Sequence, residues 1–571
     1  MHEAVVGIDF GSSGTGYAYS FNNPNNIEFG RFPFHNYEFK TPSQIILDSN
    51  LKNVLAFGKK CDSYPLGEND LYFKRIKMNL YKNKKFIKPE NNFKSFSLID
   101  IITKIFEYIK EEAIKALKNN QPKITEDKIK WIVTVPSIWT LQEKSIMITA
   151  SEKAGLFNQN TDRTNFLALE PEAASIYCSK DNSIDQSFLS PGKSYIVCDL
   201  GGGTGDIATH HISEDGKIIE KCVPKGGPYG SDEIDNEFFN EIFGGIFGFK
   251  DFKSLLVKFY ELKNKKEISW KKDDLYNEWK KLEEEIKNIK KITPDQKDQS
   301  FKINFTILKK FMNANLKDII DNFNNSCKKD WKVTISNEDL WILEFPYKII
   351  FDLIENHAEK ISNQISEICE KEKDIESIIY VGGYCSNDVL ISYFKKKFNK
   401  LVHLKPSRPE NAVVAGAVLF GLDPNIINTR KAKYSIGFNC DDVWDERIHG
   451  GIGEKYYDNN NNCYKCKNSF HSFIKKGQDI PSNDVIEQSF ATMNPRIIVL
   501  RFFKSDKVNP ALWTEDGVEE IGNAQLDLGR DYPDNERNFI IKLKFGGTYV
   551  DASCYHENSK RELSFPLYFN N

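Results

Sequence analysis

Residues 4–20 read AVVGIDFGSSGTGYAYS, and residues 194–212 read SYIVCDLGGGTGDIATHHI. Each has an apolar strand with an Asp at its end, a turn of glycines and hydroxyls, and a second strand. The turns lie in Gly7-Ile8-Asp9-Phe10-Gly11-Ser12-Ser13-Gly14 and in Asp199-Leu200-Gly201-Gly202-Gly203-Thr204-Gly205-Asp206. Glycines let backbone N–H groups approach phosphate oxygens, and hydroxyls add donors. An Asp beside phosphates repels them unless it holds a divalent cation through water or orients an attacking water. Two such hairpins facing each other would grip a triphosphate from both sides. Neither is a Walker loop, because no Lys-Ser or Lys-Thr follows the glycines. Neither is a dinucleotide fingerprint, because the turn leads into a strand rather than a helix.

Outward from these hairpins, residues 1–190 alternate strand-like runs such as IKWIVTVP with helix-like runs such as SLIDIITKIFEYIKEEAIKAL, which predicts mixed α/β layers. Residues 250–332 are rich in Lys and Glu and mostly helical in pattern. SIIYVGG at 377–383 predicts a buried strand ending in a glycine turn. AVVAGAVLFGL at 412–422 predicts a small-residue helix that packs closely on a backbone or ligand. Beyond 430 the texture changes: Asn, Asp and Gly cluster at 439–462. RIIVLRFFK, NAQLDLG, FIIKLKFGG and ELSFPLYF then alternate between turn residues, which predicts an all-β module.

Of 571 residues, 40% are apolar and 28% charged, a globular profile. Lys plus Arg number 78 and Asp plus Glu 81, a balance that gives no hint of nucleic-acid binding. MHEAVVGIDF is expected to enter a strand directly, without a charged n-region and apolar h-region, and no apolar run suits a bilayer. Eleven scattered cysteines form no disulfide framework. The expectation is a cytoplasmic or nuclear monomer with free thiols and no membrane partner.

In this order the motifs resemble the heat shock 70 kDa protein family of the actin-like ATPase superfamily. VVGIDFGSSGTGYAYSF is similar to its first phosphate loop, YIVCDLGGGTGDIATHHI to the second, and IIYVGGYCSNDVLISYFKKKF to the adenosine loop. WIVTVPSIWTLQEKSIMITASEKAGL with FLALEPEAASIYC resembles the connecting segment and its acidic residue. GGPYGSDEIDNEFFNEI resembles the family's Leu-Gly-Gly-Glu-Asp-Phe-Asp-Asn stretch, and RPENAVVAGAVLFGLDP the last helix of the nucleotide domain. The match covers about 1–430 and is nearest the divergent member-12-like branch. FHSFIKKGQDIPSNDVIEQSF more faintly resembles the start of a substrate-binding β-sandwich. The helical lid and the usual acidic-hydrophobic linker, expected near 424–434, are missing from the pattern.

The resemblance implies an α/β fold: a two-lobed actin-like ATPase (duplicated ribonuclease-H-like) nucleotide-binding domain followed by an all-β sandwich-like C-terminal module. Lobe I would span 1–190. Lobe II would span 191–430 with a helical subdomain at about 250–332, and the lidless β-module 431–571. It implies ATP and ADP as ligands, Mg²⁺ as the metal with K⁺ as a further candidate ion, slow ATP hydrolysis, and protein or peptide clients with co-chaperones. By motif position, Asp9 and Asp206 would hold the hydrated Mg²⁺. Gly11, Ser12 and Ser13 would contact phosphate from one side, and Gly201, Gly202, Gly203 and Thr204 from the other. Asp199 would orient the attacking water and Glu170 would touch the metal's water shell, with Thr204 also in the catalytic group. A lysine should neutralise charge on the transferring phosphoryl group. LYFKRIKMNL offers Lys74 and Lys77: the Lys-Arg-hydrophobic pattern favours Lys74, and the branch's Lys-Met-hydrophobic pattern favours Lys77, the narrow preference. Gly382 and Gly383 would back the adenosine, and Gly230 and Ser231 would approach phosphates or ribose. Glu284 and Lys287, on a helix around 279–291, are adenine candidates, with a solvated charged face as the equal alternative.

Cys463-Tyr-Lys-Cys466 with His471 superficially suggests zinc, but a second pair at proper spacing is lacking, so these read as loop thiols. Two other functions compete with a chaperone-like ATPase. One is a nucleotide-gated scaffold or regulatory binding protein without refolding activity, which the lidless tail favours. The other is a small-molecule kinase of the same fold, which the insertion order and the β-tail disfavour.

Overall fold

Both hairpins form, and each sits at the centre of a large sheet. The computed structural model describes residues 2–33, 39–157, 166–249, 251–265, 272–309, 311–312, 315–327, 329–459, 462–482, 484–545 and 550–567. In the first sheet, strands run in the order Leu167–Leu169, Ile129–Val135, Ala4–Phe10, Gly14–Ser20, Glu28–Phe29, with Lys40–Pro42 also paired to Gly14–Ser20. The hairpin is antiparallel, and Ile129–Val135 is parallel to Ala4–Phe10. The second sheet repeats that order: Val402–Leu404, Ile375–Val381, Ser194–Leu200, Gly205–Ile212, Ile218–Gly227, then Ile427–Lys431 and Asp479–Pro481. Here too the hairpin is antiparallel and its outer neighbour parallel. Every residue of Ala4–Phe10 and of Ser194–Leu200 is buried, as an unbroken apolar run requires when both faces are covered.

Helices Glu170–Cys178 and Ala412–Leu422 pack against each other and tie the two sheets together. Small residues make this possible: a Cβ on Gly416 would lie 1.7 Å from the Ala173 carbonyl oxygen. The small-residue helix expected at 412–422 therefore packs on backbone. In the Lys- and Glu-rich insertion, helices Phe252–Asn264, Lys272–Ile289 and Leu316–Ser326 surround a three-stranded sheet. One of its strands, Ser300–Asn304, lies inside the stretch expected to be mostly helical. It buries Phe301 and Ile303 and exposes their neighbours, a period of two that marks a strand.

Beyond residue 430 lie two antiparallel sheets. One runs Glu454–Asp458, Cys463–Ile474, Ser435–Val443, Ile497–Ser505, Val518–Asp527; the other runs Asp484–Ala491, Asn538–Phe545, Val550–His556, Arg561–Leu567. Their facing sides meet through phenylalanines, with Phe438 and Phe490 ring centroids 5.1 Å apart and Phe502 and Phe565 5.8 Å apart. Among the described residues after 430, the single α-helix is the four-residue Glu446–His449. No described helix is long and apolar enough to cross a membrane.

Candidate functional site

The tips of the two central hairpins touch. A Cβ on Gly202 would lie 1.5 Å from Ser13 Oγ, and one on Gly203 2.4 Å from Ser12 Oγ, so glycine is the residue that lets the serine turn approach. Ser13 Oγ donates to Asp232 Oδ2 at 2.6 Å, which binds the first turn to the segment behind the second. That segment caps the glycine turn: the N–H groups of Gly230, Ser231 and Asp232 donate to the carbonyls of Gly203, Gly201 and Gly202. Gly230 has no room for a side chain, since its Cβ would meet the Gly202 carbonyl oxygen at 2.1 Å.

Beneath the tips lies a cavity of 320 Å³ lined by Asp9, Gly11, Ser12, Ser13, Gly201, Gly202, Gly203 and Thr204, with Lys40, Lys77, Glu170, Asp199, Ser231, Gly382 and Gly383. Asp206 lies just behind it, accepting from Ser137 Oγ at 2.9 Å and from the Ile138 N–H at 3.2 Å. Lys77 Nζ is 2.5 Å from Glu170 Oε1, and both are buried. Gly382 sits against Asp199 with φ of 85°, a left-handed conformation that suits glycine.

Lys40, absent from the motif reading, reaches Asp9 with Nζ 2.5 Å from Oδ2. The ladder explains the contact: Asp9 pairs with Gly16, and Gly16 pairs with Lys40 on the next strand. With no side chain on Gly16, the lysine crosses above it; a Cβ there would lie 2.9 Å from Lys40 Cγ. A glycine within the strand Gly14–Ser20 is the sequence signal that could have pointed to this crossing.

The cavity's electrostatics are strongly coupled. Burial pushes Asp199 well above the ordinary carboxylate range, and the negative Asp206 and Asp9 push it further, against Lys40 and Lys77. Burial also raises Glu170, although Lys77 draws it back. Burial raises Asp206 against its hydrogen bonds from Ser137 and Ile138. Burial opposes the Lys40 ammonium, yet Asp9 more than offsets it and holds the group above its ordinary value. Carboxylates outnumber ammonium groups here, a donor set that suits a divalent cation beside phosphates. The carboxylates are not among the described sets of three ligand atoms within 4.8 Å, so water would complete such an ion's shell.

A second cavity of 430 Å³ opens from the first and shares Ser12, Ser13, Ser231 and Gly383 with it. Helix Lys272–Ile289 presents Glu283 and Lys287 to it, four residues apart and so on one face. Glu284 is one position round, exposed, and lines neither cavity, so Glu283 stands where Glu284 was expected. Lys74 belongs to this second cavity, its Nζ 2.5 Å from Glu283 Oε1. The two lysines of LYFKRIKMNL thus divide, Lys77 toward Glu170 and Lys74 toward Glu283.

Cys463 and Cys466 are on strand Cys463–Ile474 rather than in a loop, and Cys466 is buried. Three residues apart on a strand, they face opposite sides and cannot share an ion.

No protein-family model matches the chain. Over 99% of its length it aligns with curated proteins, covering 91% of each. It is 25% identical to Heat shock 70 kDa protein 12A of Homo sapiens, 24% to that of Mus musculus, and 22% to Heat shock 70 kDa protein 12B of Homo sapiens. Over nearly its whole length the chain is thus similar to heat shock 70 kDa proteins 12A and 12B.

The second sheet leads directly into the tail. Strand Ile427–Lys431 is part of that sheet, and Asp479–Pro481 from the tail pairs along it. Arg430 makes a two-pronged contact with Glu172, Nε to Oε1 at 2.6 Å and Nη2 to Oε2 at 2.8 Å. Glu172 is on the helix that Glu170 opens. Lys433 Nζ donates to the carbonyl of Ile138, whose N–H binds Asp206, and to that of Trp139. A cavity of 120 Å³ at this junction is lined by Ser137, Trp139, Lys144, Glu220, Arg430 and Lys433 and by Phe545 and Val550 of the tail. Burial pushes Lys433 down to about 8 and Lys144 down to about 7, and pushes Glu220 up to about 8.

Proposed function

We propose that this chain binds ATP between its two central hairpins, hydrolyses it slowly, and passes the nucleotide state to its β-module. The observation that carries the reading is the tip-to-tip meeting of the two glycine turns over one cavity, each with an Asp at its strand end. The matching order of the two sheets supports a two-lobed actin-like ATPase fold, lobe I at 1–190 and lobe II at 191–430, with a sandwich-like module at 431–571. The triphosphate would lie across the turns, and the nucleoside in the second cavity against Gly383 and Lys287. Turn N–H groups, with Ser12, Ser13 and Thr204, would donate to phosphate oxygens.

Mg²⁺, held through water by Asp9 and Asp206, would neutralise charge on the phosphates. Asp199 orients a water toward the terminal phosphorus. Its raised pKa suits it to accept the water's proton as the bond to the leaving ADP oxygen breaks. Lys77, held by Glu170, counters charge building on the transferring group. Asp199→Ala tests this: ATP binding is retained and single-turnover hydrolysis is lost. Unchanged hydrolysis would overturn the assignment.

Coupling is supported by the short contact chain from Asp206 through Ile138 to Lys433, and by the grip of Arg430, on strand Ile427–Lys431, on Glu172 of the helix that starts at Glu170. Protein or peptide clients would bind the module, and the eleven free cysteines suit a reducing, cytosolic or nuclear setting. A second reading, a nucleotide-gated scaffold without refolding activity, is favoured by the strand-on-strand junction and by the absence of a helical lid among the described residues. Hydrolysis rates with and without an unfolded peptide separate the two: stimulation supports client coupling, and no effect supports the scaffold.

A further inference from the structure

Strand pairing in the β-module assembles three side chains that the Cys463–Cys466 spacing does not reveal. Cys440 and Asp442 lie two residues apart on Ser435–Val443, at an irregularity in its pairing with Cys463–Ile474. His471 lies on the neighbouring antiparallel strand, directly across from Phe438. Among the described residues, Cys440 Sγ, an Asp442 carboxylate oxygen and a ring nitrogen of His471 form the one set of three His, Cys, Asp or Glu ligand atoms within 4.8 Å of one another. Asp442 Oδ1 is 2.7 Å from His471 Nδ1 and accepts from Cys440 Sγ at 3.4 Å.

The other end of the imidazole is fixed from the opposite sheet. His471 Nε2 donates to Gln488 Oε1 at 2.6 Å, and the ring packs edge-on against Phe473 and Phe490. A histidine whose outer N–H is held by a carbonyl has its other nitrogen aimed inward as a ligand, the arrangement metal-binding histidines adopt. The His471 and Asp442 side chains are 29% and 31% exposed, which leaves a path for an ion and a side for a fourth, water ligand.

We infer that Cys440, Asp442 and His471 bind a zinc ion at the margin of the core between the two tail sheets. One sulfur, one imidazole nitrogen and one carboxylate oxygen with an open fourth position is a set that zinc accepts. Mg²⁺ prefers six oxygens, so this site is distinct from any cation in the phosphate cavity. Charge balances: the thiolate and the carboxylate neutralise Zn²⁺. Binding releases the thiol proton, together with the Nδ1 proton where the imidazole is charged, and nothing is oxidised or reduced. The ion would tie adjacent strands together, and through Gln488 the two sheets.

The test uses the full chain and the metals alone. Zn²⁺ is titrated against a competing chromophoric chelator, and Co²⁺ is added to the metal-free chain to look for a thiolate-to-cobalt absorption band. The expected result is one tight zinc per chain and a clear band. Cys440→Ser abolishes the band and weakens zinc binding at least tenfold, and Gln488→Leu, which frees the ring, weakens it about 10-fold. Cys463→Ser changes neither. His471→Ala opens a gap beside Phe490 and can fail to fold, so the unsubstituted chain decides first: absence of the band overturns the inference. So does a band or a zinc affinity that survives Cys440→Ser, or one that Cys463→Ser removes.

Discussion

The two hairpins share a backbone plan but differ in how their aspartates are balanced. In the first, Asp9 is matched by Lys40 across the bare Gly16 and accepts from Thr134 Oγ1 at 3.2 Å. In the second, Asp206 accepts from neutral donors, among them Ser137, Ile138 and Thr204, and Asp199 is raised by burial and by the charges of Asp206 and Asp9. Its nearest help is the more distant charge of Lys40 and Lys77. One hairpin carries its own cation; the other is left electron-rich, which suits a partner ion and a water to be deprotonated. Two sheets of matching strand order thus differ in chemistry through a lysine on a flanking strand.

The largest way to test that asymmetry is to remove the lysine that serves the second side. Lys77→Ala should lower single-turnover hydrolysis by about 10²–10³-fold, the cost of losing one preorganised charge stabiliser. It also strands the buried Glu170. The double change Lys77→Met with Glu170→Gln should recover stability in urea without recovering activity. Next in size, Gly202→Ala forces a methyl into Ser13 and parts the two tips. Overpacking of about 1–3 kcal/mol translates to roughly 10–100-fold weaker nucleotide binding, read by calorimetry.

Lys40→Met makes the two hairpins alike. It leaves Asp9, 4% exposed, without its cation and should cost roughly 2 kcal/mol, less than a fully buried pair because Lys40 keeps some solvent. Nucleotide binding in this variant should need more magnesium than in the unsubstituted chain. The smallest effect is in pH. Asp199 and Glu170 hold their protons in the fold above the pH at which the unfolded chain releases them. Between the ordinary carboxylate value of about 4 and a pH of about 8, the fold therefore binds more protons than the unfolded chain. Stability of the ligand-free protein should fall as pH rises through that window and level off above it, and Asp199→Asn should flatten the slope. A slope of the opposite sign would contradict the charge assignment.

Much of this is legible in the sequence. The hairpins announce themselves because an Asp followed by glycines and hydroxyls between apolar strands is a local pattern, and local patterns survive in sequence. Lys40 was not legible: its role depends on two successive strand pairings and on the missing side chain of Gly16. Glu283 and Glu284 differ by one step of helix rotation, which a run of Lys and Glu does not resolve. The strand Ser300–Asn304 hid within a composition that looks helical. Cys440, Asp442 and His471 are brought together by strand pairing and its irregularity between Cys440 and Asp442, whereas the eye is drawn to the closer spacing of Cys463 and Cys466.

The pairing of Asp479–Pro481 along Ile427–Lys431 has one further consequence. Without it, the strand Ile427–Lys431 would be the outermost of a large sheet, presenting a row of free N–H and C=O groups. Such a border invites another chain to add itself and seeds aggregation. The covering strand is three residues long and ends in Pro481, which has no N–H to offer. The tail therefore also seals the border of the second sheet, and a chain cut near residue 431 would lose that seal.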